Sequence, residues 1–194
     1  MIYQGSPEIM IMPPHNHDPL KRLLADRERR VEESIEILIS QLSGGSIPYR
    51  VKAAEALGRA GDIRALPSLI RIAANDPEIG VRHVAVRSIG RLGDPGGVEC
   101  LVSLLDDEDR WIRKEAARSL GEIGEPSSLP FLAALLGDPK DDVRAAAADA
   151  LGRLGDQSAV DILCDAVRDH DPKVRTSARE SLRELGRDDL SRTL

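Results

Sequence analysis

The stretch VRAAAADALGRLGD (143–156) decides the fold, because the chain holds five near copies of it. The others read YRVKAAEALGRAGD (49–62), VRHVAVRSIGRLGD (81–94), IRKEAARSLGEIGE (112–125) and VRTSARESLRELGR (174–187). The arginine near the start of each copy serves as its anchor: Arg50, Arg82, Arg113, Arg144 and Arg175, at intervals of 32, 31, 31 and 31 residues. A fixed period of this length marks a repeat array, in which each unit leaves apolar surface for its neighbours to cover. Arrays of this kind usually act through a surface, not through a pocket of catalytic groups.

Within the quoted stretch, Val143, Ala147, Leu151 and Leu154 fall at steps of four, four and three, one stripe of an α-helix. Val81, Ala85, Ile89 and Leu92 repeat it, as do Ile112, Ala116, Leu120 and Ile123. The spacing predicts motif helices near 49–60, 81–92, 112–123, 143–154 and 174–185. Each is stopped by a glycine (Gly61, Gly93, Gly124, Gly155, Gly186), the preferred residue just past a helix C-terminus. Asp62, Asp94 and Asp156 follow and suit the N-cap of a second helix. That helix carries its own stripe, Leu66, Leu69, Ile70 and Ala73 in one copy and Leu129, Leu132, Ala133 and Leu136 in another. Pro67 and Pro130 sit in its first turns, where a missing amide hydrogen costs little. Asp76-Pro77, Asp138-Pro139 and Asp171-Pro172 mark the turn back, so the unit is a helix hairpin.

Two columns of small residues run through the copies. Ala56, Ser88, Ser119, Ala150 and Ser181 lie six residues after the anchors, and Gly58, Gly90, Gly121 and Gly152 two residues later. A mid-helix glycine costs about 0.5–1 kcal/mol relative to alanine, so its recurrence predicts close approach of a neighbouring helix. The fifth copy has Arg183 in the glycine column and Arg179 where others carry alanine or valine, the polar flank expected of a terminal repeat. DDLSRTL (188–194) then reads as a short tail. At the other end, LKRLLADRERRVEESIEILISQL (20–42) has helical spacing. Its second half supplies the first helix of repeat one, SGGS (43–46) the turn, and its first half a cap. Residues 1–17 are expected to be flexible, and 18–194 to form one domain.

The consensus [V/I]-R-x-x-A-A-x-[A/S]-L-G-x-[I/L]-G-D resembles HEAT repeats, specifically the short kind first noted in phycobilisome lyases, over about residues 31–186. The resemblance implies an all-α fold, a right-handed α-solenoid of about five helix-hairpin repeats with an N-terminal capping helix. It also implies that the helix bearing the V-R motif lines the concave face, which usually binds the partner. Lyases, hydroxylases and plain scaffolds share the module, so the activity stays open.

Composition narrows the classes. Aromatics are only 2% of the chain, so Leu, Ile, Val and Ala must build the core. A net charge of −6 argues against a general nucleic-acid binder, which needs a broad basic surface. Cys100 and Cys164 occupy different positions in non-adjacent repeats, too far apart to bridge, and reduced thiols fit a cytoplasmic protein. The N-terminus has no signal-peptide pattern and no stretch is long enough to span a membrane. His15 and His17 lack a scaffold for a metal, and no His-Glu pair of the HEAT-repeat hydroxylase type occurs. No metal and no cofactor are expected, nor a catalytic set: GxSxG, phosphate-loop and CxxC patterns are missing.

An aspartate lies six residues before four anchors, giving Asp76/Arg82, Asp107/Arg113, Asp138/Arg144 and Asp169/Arg175. The spacing predicts an ion-pair ladder of structural purpose, without a rung at Arg50, where Gly44 stands in the aspartate's place. Function is better sought where the copies differ. On the face opposite the apolar stripe stand His83, Arg87 and Arg91 in the second copy, Trp111, Lys114 and Arg118 in the third, and Asp142 and Asp149 in the fourth. Trp111 is the chain's only tryptophan, and Trp and Arg are enriched in binding hot spots. Charge on this face divides into basic copies two and three and acidic copies four and five, which would orient a partner of opposite pattern. These eight residues are the expected partner site. The leading expectation is a non-catalytic scaffold holding a protein or peptide. The alternatives are a subunit of a phycobilin lyase or related bilin-handling complex, and a nucleic-acid-binding HEAT protein of the alkylpurine glycosylase type.

Overall fold

Apolar stripes and glycine stops produce ten α-helices among the described residues, 19–187 and 189, of a computed structural model. In chain order these are α1 (Pro19–Gly44), α2 (Ile47–Ala60), α3 (Leu66–Asn75), α4 (Ile79–Leu92) and α5 (Val98–Ser103). There follow α6 (Arg110–Ile123), α7 (Leu129–Leu135), α8 (Asp141–Leu154), α9 (Ala159–Ala166) and α10 (Pro172–Glu184). The flexible segment expected at 1–17, His15, His17 and nearly all of DDLSRTL lie outside the described residues. Among the described residues, those up to Ser34 belong to one compact unit and those from Ile35 onward to another, and the repeat array occupies the second.

In that second unit the motif helices α2, α4, α6, α8 and α10 pack side by side as one layer of an α-solenoid. Helices α3, α5, α7 and α9 form the other layer, each packing on the motif helix that follows it. The stripe residues Val81, Ala85, Ile89, Ile112, Ala116, Leu120, Val143, Ala147 and Leu151 are fully buried between the layers. Motif helices begin two residues earlier than the apolar spacing predicts, and at α6 and α10 a capping aspartate fixes the start. Asp109 accepts from the amides of Trp111 and Ile112, and Asp171 from that of Lys173. The expected glycine stops hold: Gly61, Gly93, Gly124 and Gly155 are left-handed C-caps, with φ between 66° and 73°. Asp62 and Asp94 cap a 3-10 turn (Ile63–Ala65, Pro95–Gly97) that leads into the second helix, rather than capping that helix directly.

The ladder exists in a different register from the one expected. Four anchors, Arg50, Arg82, Arg113 and Arg144, each pair with the aspartate that follows, not the one before. Arg50 Nε and Nη2 grip Asp76 at 2.8 and 2.9 Å, Arg113 grips Asp138 at 2.7 and 3.1 Å, and Arg144 grips Asp169 at 2.8 and 3.0 Å. Arg82 likewise pairs with Asp107. The aspartate six residues earlier serves through its backbone: Asp107, Asp138 and Asp169 each offer a carbonyl to the Nη1 of Arg113, Arg144 and Arg175, at 2.8, 2.8 and 2.9 Å. Arg50 therefore has its rung. Arg175 is the anchor without a carboxylate among the described residues. Asp107, Asp138 and Asp169 each touch two anchors, one by carboxylate and one by carbonyl, which spacing alone cannot distinguish; Arg82 Nε instead donates to the Ala73 carbonyl at 3.4 Å.

The small-residue columns meet as expected. A Cβ built on Gly58 would stand 2.7 Å from Ser88, one on Gly90 2.6 Å from Ser119, and one on Gly152 2.6 Å from Ser181. At Gly121 the neighbour is Ala150, whose Cα would lie 2.9 Å away. Three serines of the column also donate across the helix pair. Ser88 bonds the Ala54 carbonyl at 2.8 Å, Ser119 that of Val86 at 3.1 Å and Ser181 that of Ala148 at 2.9 Å.

Candidate functional site

The motif-helix layer turns one face inward and leaves the other to solvent. Between α4 and α6 that outer face opens into a cleft of about 570 Å³. Ile79, Gly80, His83 and Arg87 line it from one side, and Asp109, Trp111, Lys114, Glu115 and Arg118 from the other. Its position follows from two local features. Asp109 caps α6 through the Trp111 amide at 2.7 Å, fixing the tryptophan in the first turn. The equivalent place on α4 is Gly80, where a Cβ would meet nothing within 4 Å, so the wall opposite the indole stays open.

Trp111 is 47% exposed. The Arg110 guanidinium stands 4.7 Å and the Lys114 ammonium 5.1 Å from its ring centroid, within cation–π range. Lys114 Nζ is also 3.5 Å from Asp142 Oδ2. Glu115, next to Lys114 on α6, is a buried carboxylate 3.4 Å from His83 Nε2. Burial works to raise its pKa, but the His83 hydrogen bond and the charges of His83, Arg118 and Arg87 outweigh that and hold it below the ordinary glutamate value. Arg87 reaches toward Glu55 at 3.9 Å, and its Nε is buried with no hydrogen-bond partner.

Of the residues expected to bind a partner, the cleft collects His83, Arg87, Trp111, Lys114 and Arg118. Arg91, in the last turn of α4, Asp142 and Asp149 are not among its lining residues. Asp142 instead acts as counter-ion to Lys114 and, at 3.8 Å, to Arg110. Sequence reasoning left out Ile79, Asp109, Arg110 and Glu115. Glu115 was legible only as a position on the outer face, and its burial comes from lateral packing against α4. The division into basic and acidic copies resolves into pairs between neighbours: Arg87 with Glu55, His83 with Glu115, Lys114 with Asp142, Arg153 with Glu122 and Lys173 with Asp141. Motif helices packed about 8–10 Å apart bring facing side chains of adjacent copies within ion-pair reach, so opposite charges neutralise one another sideways.

Among the described residues no cluster of three or more His, Cys, Asp or Glu could hold a metal ion, and no helix is long and apolar enough to cross a membrane. Cys100 and Cys164 are free and half-buried. Burial raises the pKa of both thiols.

Comparison with known proteins gives this geometry a context. Residues 67–149 and 133–194 match the model for HEAT repeats, and residues 49–75 match the PBS lyase HEAT-like repeat. A 68-residue stretch is 32% identical to the bilin biosynthesis protein PecE of Mastigocladus laminosus, covering 35% of this chain and 25% of PecE. The chain thus spans about a quarter of the length of that curated relative. Among solved structures, the complex of CpcE and CpcF of phycocyanin lyase from a Nostoc species superposes with a TM-score of 0.71 at 22% identity, over 95% of this chain and 72% of the other. The Escherichia coli protein YibA gives a TM-score of 0.62 at 25% identity, over 89% and 68%. A designed armadillo repeat protein in complex with the peptide (KR)4 gives 0.57 at 19%, over 81% and 84%.

Proposed function

This chain belongs to the HEAT-repeat family, and from that premise we propose that it is a bilin-handling subunit of the lyase type, working with a protein partner. The cleft carries this reading: a groove of about 570 Å³ with one exposed indole wall and a rim of cationic side chains suits a flat conjugated acid. The likeness to PecE supports it from the sequence side, and the likeness to the CpcE–CpcF complex supports a second chain as companion. We read the chain as non-catalytic. Its cleft offers cations, a carboxylate and an indole, and neither thiol lines it. The chain's part is then to hold the pigment, while bond-making groups come from elsewhere in the assembly.

Titration with biliverdin tests this. Saturable binding should shift the pigment's visible absorption and quench Trp111 fluorescence with the same midpoint. An unchanged absorption spectrum and unquenched Trp111 would remove the pigment from the reading. The half-exposed Trp111 among arginines also favours a second reading, in which the same cleft seats a protein or peptide and no pigment. That reading predicts no response to biliverdin and capture of a partner that Trp111→Ala abolishes.

A further inference from the structure

Two arginines of the cleft act on Glu115 through charge alone and keep hydrogen-bond donors unfilled. Arg118 is exposed at the rim and has neither a hydrogen bond nor an ion pair among the described residues. Arg87 has its buried Nε without a partner and only a 3.9 Å approach to Glu55. The remaining cations are engaged: Lys114 with Asp142, His83 with Glu115, and the anchors in the ladder. Arg87 and Arg118 are equivalent residues, each five places after its anchor, on neighbouring motif helices. Helix packing therefore sets their backbones about 8–10 Å apart.

A guanidinium is a planar fork that matches a carboxylate, so an arginine with open donors selects that group over a neutral one. The Glu115 carboxylate, on which both guanidinium charges act, opposes a single anion of high charge density in the same place. The two forks fit two separate carboxylates on one rigid body. The exposed part of Trp111 supplies a flat surface for that body, and Gly80 leaves space opposite.

We infer that Arg87 and Arg118 are the anchoring residues for the two carboxylates of a planar conjugated diacid seated against Trp111. This rests on the bilin-handling reading, under which the carboxylates are the two propionates of a linear tetrapyrrole. Charge pairing then fixes orientation along the cleft, and the indole fixes the plane.

The test compares biliverdin with its dimethyl ester on the wild-type chain and on Arg87→Ala, Arg118→Ala and Arg168→Ala, reading Kd from absorption and Trp111 quenching. Arg168 lies beyond α9 in the other layer and serves as control. Loss of one charge-assisted carboxylate contact corresponds to a drop of about tenfold in affinity or more. Arg87→Ala and Arg118→Ala should each show that drop for the diacid, and Arg168→Ala should not. The ester should bind the wild type weakly and be insensitive to both arginine changes. Arg118 touches no other described side chain by hydrogen bond or ion pair, so its variant tests the anchor even where Arg87→Ala disturbs folding. Equal binding of diacid and ester, or of wild type and both variants, would overturn the anchors while leaving the pigment reading intact. Failure of biliverdin to bind the wild type overturns that reading and the anchors with it.

Discussion

Gly121 and Trp111 show how single positions divide between fold and function. A Cβ on Gly121 would approach Ala150 Cα to 2.9 Å, closer than packed atoms tolerate, so the residue sets the distance between α6 and α8. Gly121→Leu should therefore lower stability by about 3 kcal/mol through overpacking, measured as a drop in the urea midpoint at unchanged slope. An unaltered midpoint would show that the helices are held apart by something else. Trp111 was legible as an outlier on an otherwise repetitive face. The small Gly80 opposite and the neighbouring Lys114 followed from the register of the copies, whereas the cap by Asp109 and the Arg110 guanidinium over the ring did not, since both depend on chain direction at a helix start. Glu115 is a residue whose burial the pattern cannot give. Its helical position places it on the outer face, yet contact with α4 buries it.

At the scale of elements, the motif helices are joined by two devices of different strength. Column serines donate to carbonyls of the preceding motif helix, each contributing about 1 kcal/mol. The fourth copy does without one, having Ala150. The arginine ladder binds α2, α4, α6 and α8 each to the turn after the next helix, and its side chains are nearly buried: Arg113 is 12% and Asp138 4% exposed. Removing one partner leaves the other charge without compensation in a poorly solvated place. Asp138→Ala should thus cost about 3 kcal/mol, seen as a lower thermal midpoint, while Arg168→Ala in the exposed face changes it little. The recurrence of Asp and Arg revealed that a ladder exists. Its register needed the hairpin's geometry, because the second helix must fold back before the following aspartate can reach the anchor.

The whole molecule responds to acid through the same ladder. Burial tends to raise the pKa of Asp76 and Asp138, but hydrogen bonds from Arg50 and Arg113 and from the turn amides outweigh it and hold both low. At Asp169 the Arg144 hydrogen bond is the leading cause in the same direction. A depressed folded-state pKa means that the rung's contribution is complete above the unfolded value, about 3.9, and is lost as pH falls through the folded one. The thermal midpoint should hold from neutrality to about pH 5 and then fall steeply below pH 4. Asp138→Ala should show a shallower fall. A midpoint equally steep in the variant would show that other carboxylates govern acid unfolding. The sequence by itself determined the helices, their stripes, their glycine stops and the close-packed columns, because a repeated unit writes its local periodicity and its neighbour contacts into every copy. Only the tertiary structure decided which aspartate each arginine holds, how the outer charges neutralise one another, and that α4 and α6 part into a cleft at Trp111. Those outcomes depend on distances between residues far apart in the chain, which equal spacing leaves undetermined.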